Sequence, residues 1–290
     1  MLKKVILGAV ALTTALSSYG TGKVIYGEDD RYDLSEILDQ RVVDFAKASA
    51  TQIDKRYMLN VGEQTRLIYA SLERVMGVCP DERFAKQNSI GRCSGFLVGD
   101  DVLVTAGHCV QGLDCSTYSW VFDYDNEEAA DNTVPSSSVY NCKEVLTSVL
   151  EPLTKKDYAV VKLDRKVTGR TPLKFRKTGK PSKFEPLTII GSPSGLLTKV
   201  TTNAYVVDNS HPEFFRTNAD TFGGNSGSAV LNTQTGLVEG ILVRGAKDYV
   251  WDPIAQCRRV NVCDQFNPMN GCYGESVSRI PNVRLNQYLK

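Results

Sequence analysis

Three short strings carry side chains able to act as a set: TAGHC at 105 to 109, DYAVVKL at 157 to 163, and GGNSGS at 223 to 228. A serine hydroxyl is a poor nucleophile near neutral pH. It needs an imidazole to take its proton, and the imidazole needs a buried carboxylate to fix its tautomer and stabilise its protonated form. Ser226 fits the nucleophile, His108 the base and Asp157 the orienter. Asp157 is preferred to Asp164 because it opens its apolar run, and the resulting chemistry is acyl transfer.

Chain order narrows the class. A hydrolase of the α/β type needs its histidine after the serine, and no histidine follows Ser226, since the chain has only His108 and His211. GNSGS also ends in Ser228 where a nucleophile elbow needs glycine. The order His, Asp, Ser remains. In that order the three strings resemble the His, Asp and Ser blocks of trypsin-like (chymotrypsin-fold) serine peptidases, and most closely a bacterial secreted group related to the staphylococcal glutamyl endopeptidase, which uses the GNSGS form. The match covers about residues 24–290, dense at the three blocks and thin over 32–78 and the cysteine-rich tail.

The resemblance implies two six-stranded antiparallel β-barrels with the active site between them, His108 and Asp157 on the first (about 24–168) and Ser226 on the second (about 169–290). It implies an oxyanion hole from the backbone N–H groups of Gly224 and Ser226, and a bridge between Cys93 and Cys109 beside the histidine. Cys115 with Cys142 is a further expected pair. Partners for Cys79, Cys257, Cys263 and Cys272 stay open, because connectivity is not readable from spacing. Position 222, a cysteine in many animal relatives, is Phe222.

The elements agree with an all-β class. Runs rich in β-branched and aromatic residues recur at 95–99, 101–105, 118–123, 158–163, 187–190, 200–207, 228–232 and 237–244, each bounded by Gly, Pro, Asn, Asp or Ser. Helical periodicity is confined to about Leu38 to Ala50 and to a short C-terminal piece, Val283 to Leu289, with Asn282 as its cap. The chain of 290 residues is long enough for a full core. Its net charge of +1 favours no polyanionic partner. Lys3 and Lys4, the apolar run Val5 to Leu16 and the pair Ser17, Ser18 read as a signal peptide over 1–18, too short to span a bilayer. Eight cysteines downstream suit disulfides in an oxidising compartment, hence a secreted protein. No C-x-x-C pair is present, and neither a metal nor another cofactor is expected.

Specificity turns on a few positions. Asp220, six residues before Ser226, stands where the trypsin group keeps the carboxylate that binds Lys or Arg. The alternative is cleavage after Glu, since VIYGEDDR at 24 to 31 resembles the mature start of the staphylococcal enzyme. Leu242 stands where that enzyme has a glutamate-binding histidine, and Asp220 would repel a carboxylate, so basic specificity is favoured. Lys23 precedes Val24, so such an enzyme would trim a zymogen to begin at Val24. The aspartate that pairs with the freed amine in animal trypsins is Asn225 here, which argues against activation through that ion pair. Val243 and Gly245 would offer backbone groups to an extended substrate, and Arg244 between them would favour acidic residues upstream of the cut.

Other features have plainer readings. Asp123, Asp125 and Glu127 alternate as in calcium loops, but Glu128 stands where glycine is needed, so a solvated acidic loop is expected. Lys174 to Lys183 reads as a solvated turn, and His211 as a loop residue. The expected partners are protein or peptide substrates, with no nucleic acid, no membrane after signal removal, and a monomeric state. The rival from another class is a catalytically silent binding protein on the same scaffold.

Overall fold

The computed structural model describes residues 25–125, 129, 131–263 and 272–289. The signal-like segment and Val24 lie outside these residues, as does Glu127.

The apolar runs form two barrels. The first contains β1 (Ser49–Asp54), β2 (Gly91–Leu97), β3 (Val102–Thr105), β4 (Tyr118–Val121), β5 (Val139–Glu151) and β6 (Lys156–Leu163), closed in the order β1-β2-β3-β6-β5-β4. The second contains β7 (Pro186–Gly191), β8 (Lys199–Asp208), β9 (Phe214–Thr217), β10 (Ala229–Asn232), β11 (Val238–Arg244) and β12 (Glu275–Arg279). Its order, β7-β8-β9-β12-β11-β10 with β10 returning to β7, repeats the first. Closure leaves no barrel edge exposed for pairing with another chain.

Side chains alternate between core and exterior as pleating requires, visibly in β9, where Phe215 and Thr217 are buried and Phe214 and Arg216 are not. Phe96, Leu103, Trp120 and Val160 fill the first barrel, and their cluster continues through Ala229, Ile241 and Val243 of the second. Leu187, Ile189, Val206, Phe215, Val230 and Val277 fill the second. The cleft between the barrels therefore rests on a continuous apolar floor.

Helix is marginal. Asp39 caps α1 (Gln40–Lys47) by accepting from the Arg41 amide, and the helix stops because the next residues join β1. At the C-terminus the expected helix is two 3-10 turns, Ile280–Val283 and Leu285–Gln287, separated by Arg284 at φ 55°. Burial of Ile280, Val283 and Leu285 dictates that path, and Asn282 donates to the Pro212 carbonyl and Glu213 instead of capping.

Apart from α1 and β1, the stretch from residue 31 to residue 78 is outer structure. Arg31–Asp33 pairs with β8 of the second barrel, a hairpin of Met58–Val61 and Gln64–Leu67 is joined by Thr133–Pro135, and α2 (Leu72–Met76) ends at Gly77 in the left-handed region, φ 67°. Four disulfides are formed: Cys93–Cys109 and Cys115–Cys142 as expected, then Cys79–Cys257 and Cys263–Cys272. Cys79–Cys257 closes a separation of 178 residues and staples the outer segment to the second-barrel side of the chain. Replacing both cysteines by serine is expected to lower unfolding free energy by about 2–5 kcal/mol, measured by guanidinium titration under non-reducing conditions.

Candidate active site

Antiparallel pairing of β3 with β6 sets Thr105 opposite Ala159, so the chain leaving β3 runs beside Tyr158 and Asp157. That chain turns through Gly107–Cys109, where a Cβ on Gly107 would lie 2.1 Å from the Val149 carbonyl oxygen. Only glycine lets the turn sit so close to β5. His108 is thereby presented to Asp157, with Nδ1 2.8 Å from Oδ2, and its backbone N–H donates to Oδ1 at 3.2 Å. A carboxylate accepts, so Nδ1 carries the ring proton and Nε2 is left as a base. Asp157 is fully buried, whereas the His108 side chain retains 35% of its exposure and can meet a substrate.

Ser226 lies in the turn between β9 and β10. The amides of this turn sort into two groups. Phe222 donates to Asn225 Oδ1, Gly223 to Asp248 Oδ2, Asn225 to the Phe222 carbonyl, Gly227 to the Leu242 carbonyl and Ser228 to the Asn225 carbonyl. Over residues 222–228, the amides of Gly224 and Ser226 are the two with no partner among the described residues. Gly224 takes φ 96°, and a Cβ there would fall 2.4 Å from the Ser192 carbonyl oxygen. Asn225 is buried and spends its side chain inside the turn, on the Phe222 amide and Ser228 Oγ.

The two barrels meet at Ser94. Its amide donates to the Ser226 carbonyl at 2.8 Å, its carbonyl accepts from Thr105 Oγ1 at 2.7 Å, and its own hydroxyl donates to the Gly224 carbonyl at 2.8 Å. The serine turn and the histidine turn are thus referred to one residue of β2. Ser226 is half-buried, and among the described residues its hydroxyl makes no hydrogen bond with His108. Catalytic hydrogen bonds commonly tighten only when substrate fills the cleft.

A cavity of about 140 Å³ opens beside Ser226, lined by Thr221 to Gly223, Leu242 to Ala246, Asp248 and Glu275. Leu242, Val243 and Gly245 are among these lining residues. Asp220 does not line this cavity. Its carboxylate is buried and accepts from the backbone N–H of Tyr26 at 2.7 Å and of Asp30 at 2.8 Å, tying the N-terminal segment to the second barrel. Burial pushes its pKa up to about 7 against these two bonds.

Two other carboxylates flank the cavity. Glu275 is buried, accepts from Thr221 Oγ1 at 2.8 Å and the Ala246 amide at 3.3 Å, and fills the space above Gly245, whose Cβ would come within 1.8 Å of Oε2. Burial, and then Asp248 and Asp220, raise its pKa to about 8; burial raises that of Asp248 to about 6. Neither residue carries a local sequence signal, since Glu275 reaches the cavity only through the pairing of β12 with β11.

The remaining candidates have structural roles. Asp123 is held by Arg170 through two bonds of 2.6 Å, which occupy the carboxylate the calcium reading requires. His211 stacks on Phe214 with ring centroids 4.1 Å apart. The cluster Cys93, His108 and Cys109 has metal-ligand spacing, but its sulfurs are joined to each other.

If Asp220 is an anchor for the N-terminal segment, Asp220→Asn at pH 8 turns an amide donor toward one of the two N–H groups. It is expected to cost about 1–3 kcal/mol of unfolding free energy, read by denaturant titration.

A model described as a trypsin-like peptidase domain matches residues 93–241, just over half of the chain. A Glu endopeptidase structure determined in complex with MPD is 16% identical, with 91% of this chain and 98% of that chain covered and a TM-score of 0.51. A serine endoprotease from Yersinia pestis is 18% identical at a TM-score of 0.46, with 71% of this chain covered; the chain spans 57% of that protein's length. Two structures of an M. tuberculosis protease in an inactive form are 13% identical at a TM-score of 0.49, covering 87% and 91% of this chain and 94% and 95% of those chains. No curated protein sequence matches. At these identities the structures speak to fold alone, and it is the family match over both barrels, on a pair of closed six-stranded barrels, by which the chain belongs to the trypsin-like peptidase family.

Proposed function

We propose that the protein is an exported serine endopeptidase that hydrolyses peptide bonds through an acyl-enzyme and cuts after lysine or arginine. The observation that carries the catalytic part is the amide pattern of the serine turn. Five amides are engaged, and the two without a partner among the described residues, those of Gly224 and Ser226, are the pair an oxyanion hole requires.

In this reading Ser226 Oγ attacks the substrate carbonyl while His108 Nε2 takes its proton and then passes it to the leaving amine. Asp157 keeps the ring oriented and stabilises it when charged. The Gly224 and Ser226 N–H groups meet the negative charge that develops on the carbonyl oxygen, each worth about 3 kcal/mol in the transition state. Water then attacks the acyl-enzyme by the same route in reverse. A silent scaffold has no need for this combination of an oriented imidazole and two open amides.

The preference for a basic residue rests on Glu275 and Asp248 rather than Asp220. A lysine or arginine side chain entering the cavity forms charge-assisted hydrogen bonds with carboxylates, while a glutamate side chain meets the Asp248 carboxylate and, among the described residues, no histidine in the lining. Export is supported by the four disulfides, and among the described residues no helix is long and apolar enough to cross a membrane. The same preference makes Lys23 a site for trimming to Val24.

Digestion of a proteome-derived peptide library is expected to give cuts after Lys and Arg; cuts confined to Glu would overturn the specificity. A fluorophosphonate probe is expected to label the wild type and not Ser226→Ala, and an unlabelled folded wild type rejects the enzyme reading.

Cation binding also has a pH signature. A carboxyl raised to about 8 is largely protonated in the empty cavity at neutral pH, and a bound cation favours its ionised form. Affinity for benzamidinium, measured on Ser226→Ala so that catalysis is absent, is therefore expected to rise between pH 6 and pH 9, with proton release at the lower pH. In Ser226→Ala/Glu275→Gln the rise should flatten.

A further inference from the structure

The acidic cavity has a basic neighbour. A second cavity of about 380 Å³ shares Arg244 and Gly245 with it and is otherwise lined by Lys155, Phe214, Arg216, Tyr273 and Ser276. Three cations and two aromatic rings thus surround a space whose lining includes no carboxylate among the described residues.

Arg216 and Arg244 are held by neighbouring carbonyls and rings; Asp208 lies near enough to Arg216 to feel its charge, and Arg244 has one long ion pair with Asp157. Arg216 donates to the Tyr273 carbonyl at 2.8 Å and lies over the rings of Tyr273 and Phe214, at 5.5 and 5.9 Å from their centroids. Arg244 donates to the Lys155 carbonyl at 3.0 Å and lies 5.8 Å from the Phe214 centroid. Among the described residues neither Lys155 nor Arg216 forms an ion pair, and the nearest carboxylate oxygen to Arg244 is that of Asp157, at 3.7 Å and oriented toward His108. Burial disfavours the charged form of Arg244; Asp157 opposes this and Arg216 adds to it. An anion entering the cavity would relieve that strain.

Strand geometry says which part of a substrate arrives there. An extended peptide that lies along Val243 to Gly245 turns successive side chains to opposite faces. With the side chain before the cut in the acidic cavity, those of the second and fourth residues before the cut face the other way, and the cavity that adjoins it at Arg244 and Gly245 lies beside that path. We infer that the cavity formed by Lys155, Arg216 and Arg244 is a subsite for an acidic side chain at the second or fourth position before the cut, so that preferred substrates carry an acidic residue followed by a basic one at the cleavage point.

The inference rests on the endopeptidase reading, and one experiment separates the two. Matched peptides with arginine before the cut, and either Glu or Gln at the second and fourth positions, are cleaved by the full processed protein. The Glu:Gln ratio of kcat/KM is expected to be about ten, the worth of one charge-assisted hydrogen bond. In Lys155→Glu/Arg216→Glu, with fluorophosphonate labelling as the mark of a folded site, the ratio is expected to fall below one. Should that variant fail to label, Lys155→Gln/Arg216→Gln carries the test, with a ratio near one. Equal cleavage of both peptides by the wild type overturns the subsite and leaves the peptidase standing. A variant that labels and retains the tenfold preference also overturns it. A wild type that labels with the fluorophosphonate yet cleaves neither peptide overturns the preference for arginine before the cut and the subsite with it, and one that does not label overturns the endopeptidase reading as well.

Discussion

The hydrogen bond from the Ser94 amide to the Ser226 carbonyl is the contact on which the cleft depends. Ser94 sits on β2, and its carbonyl also receives Thr105 Oγ1, three residues before His108. A shift of the second barrel would move Ser226 and the open amides away from the imidazole together. The close fit leaves no room for side chains at the junction: a Cβ on Gly227 would stand 2.0 Å from the Ser94 carbonyl oxygen. Two separately closed barrels become one site because their backbones, rather than flexible side chains, meet at this point.

Around that junction the molecule separates charge by sign. Glu275 and Asp248 are kept beside Ser226, while Lys155, Arg216 and Arg244 lie one step along β11. Burial first, and neighbouring carboxylates after it, make the carboxyls of Asp220 and Glu275 hold protons to unusually high pH. The N-terminal segment shares in this arrangement. Tyr26 and Asp30 satisfy Asp220, and the buried Arg31 lies over Phe222, a wall of the acidic cavity, at 4.1 Å from its centroid. Residues far from the serine in sequence therefore shape the site through packing and hydrogen bonds.

The blocks around His108, Asp157 and Ser226 were legible because each is local. A turn that needs glycine, a strand that opens on a carboxylate and a loop with free amides are all encoded by adjacent residues. The all-β class and the Cys93–Cys109 bridge were legible for similar reasons, one from alternation in short runs and one from family likeness. The short C-terminal helix was legible in its spacing of apolar residues, and burial against the barrels set its form as two 3-10 turns. The pairs Cys79–Cys257 and Cys263–Cys272 were beyond spacing rules, since the partners are chosen by how the outer segment wraps the second barrel.

The sequence by itself determined the reaction class, through residue types and their order along the chain. Only the tertiary structure decided which carboxylates line the cavity beside Ser226. Asp220 stands at the anticipated distance before Ser226, yet its oxygens are taken by the Tyr26 and Asp30 amides, because the N-terminal segment lies against it. Glu275, on the last strand, comes to the cavity through pairing of β12 with β11. Chain order fixes neighbours within a strand, but the occupant of a pocket wall is set by which strands pair and in what register.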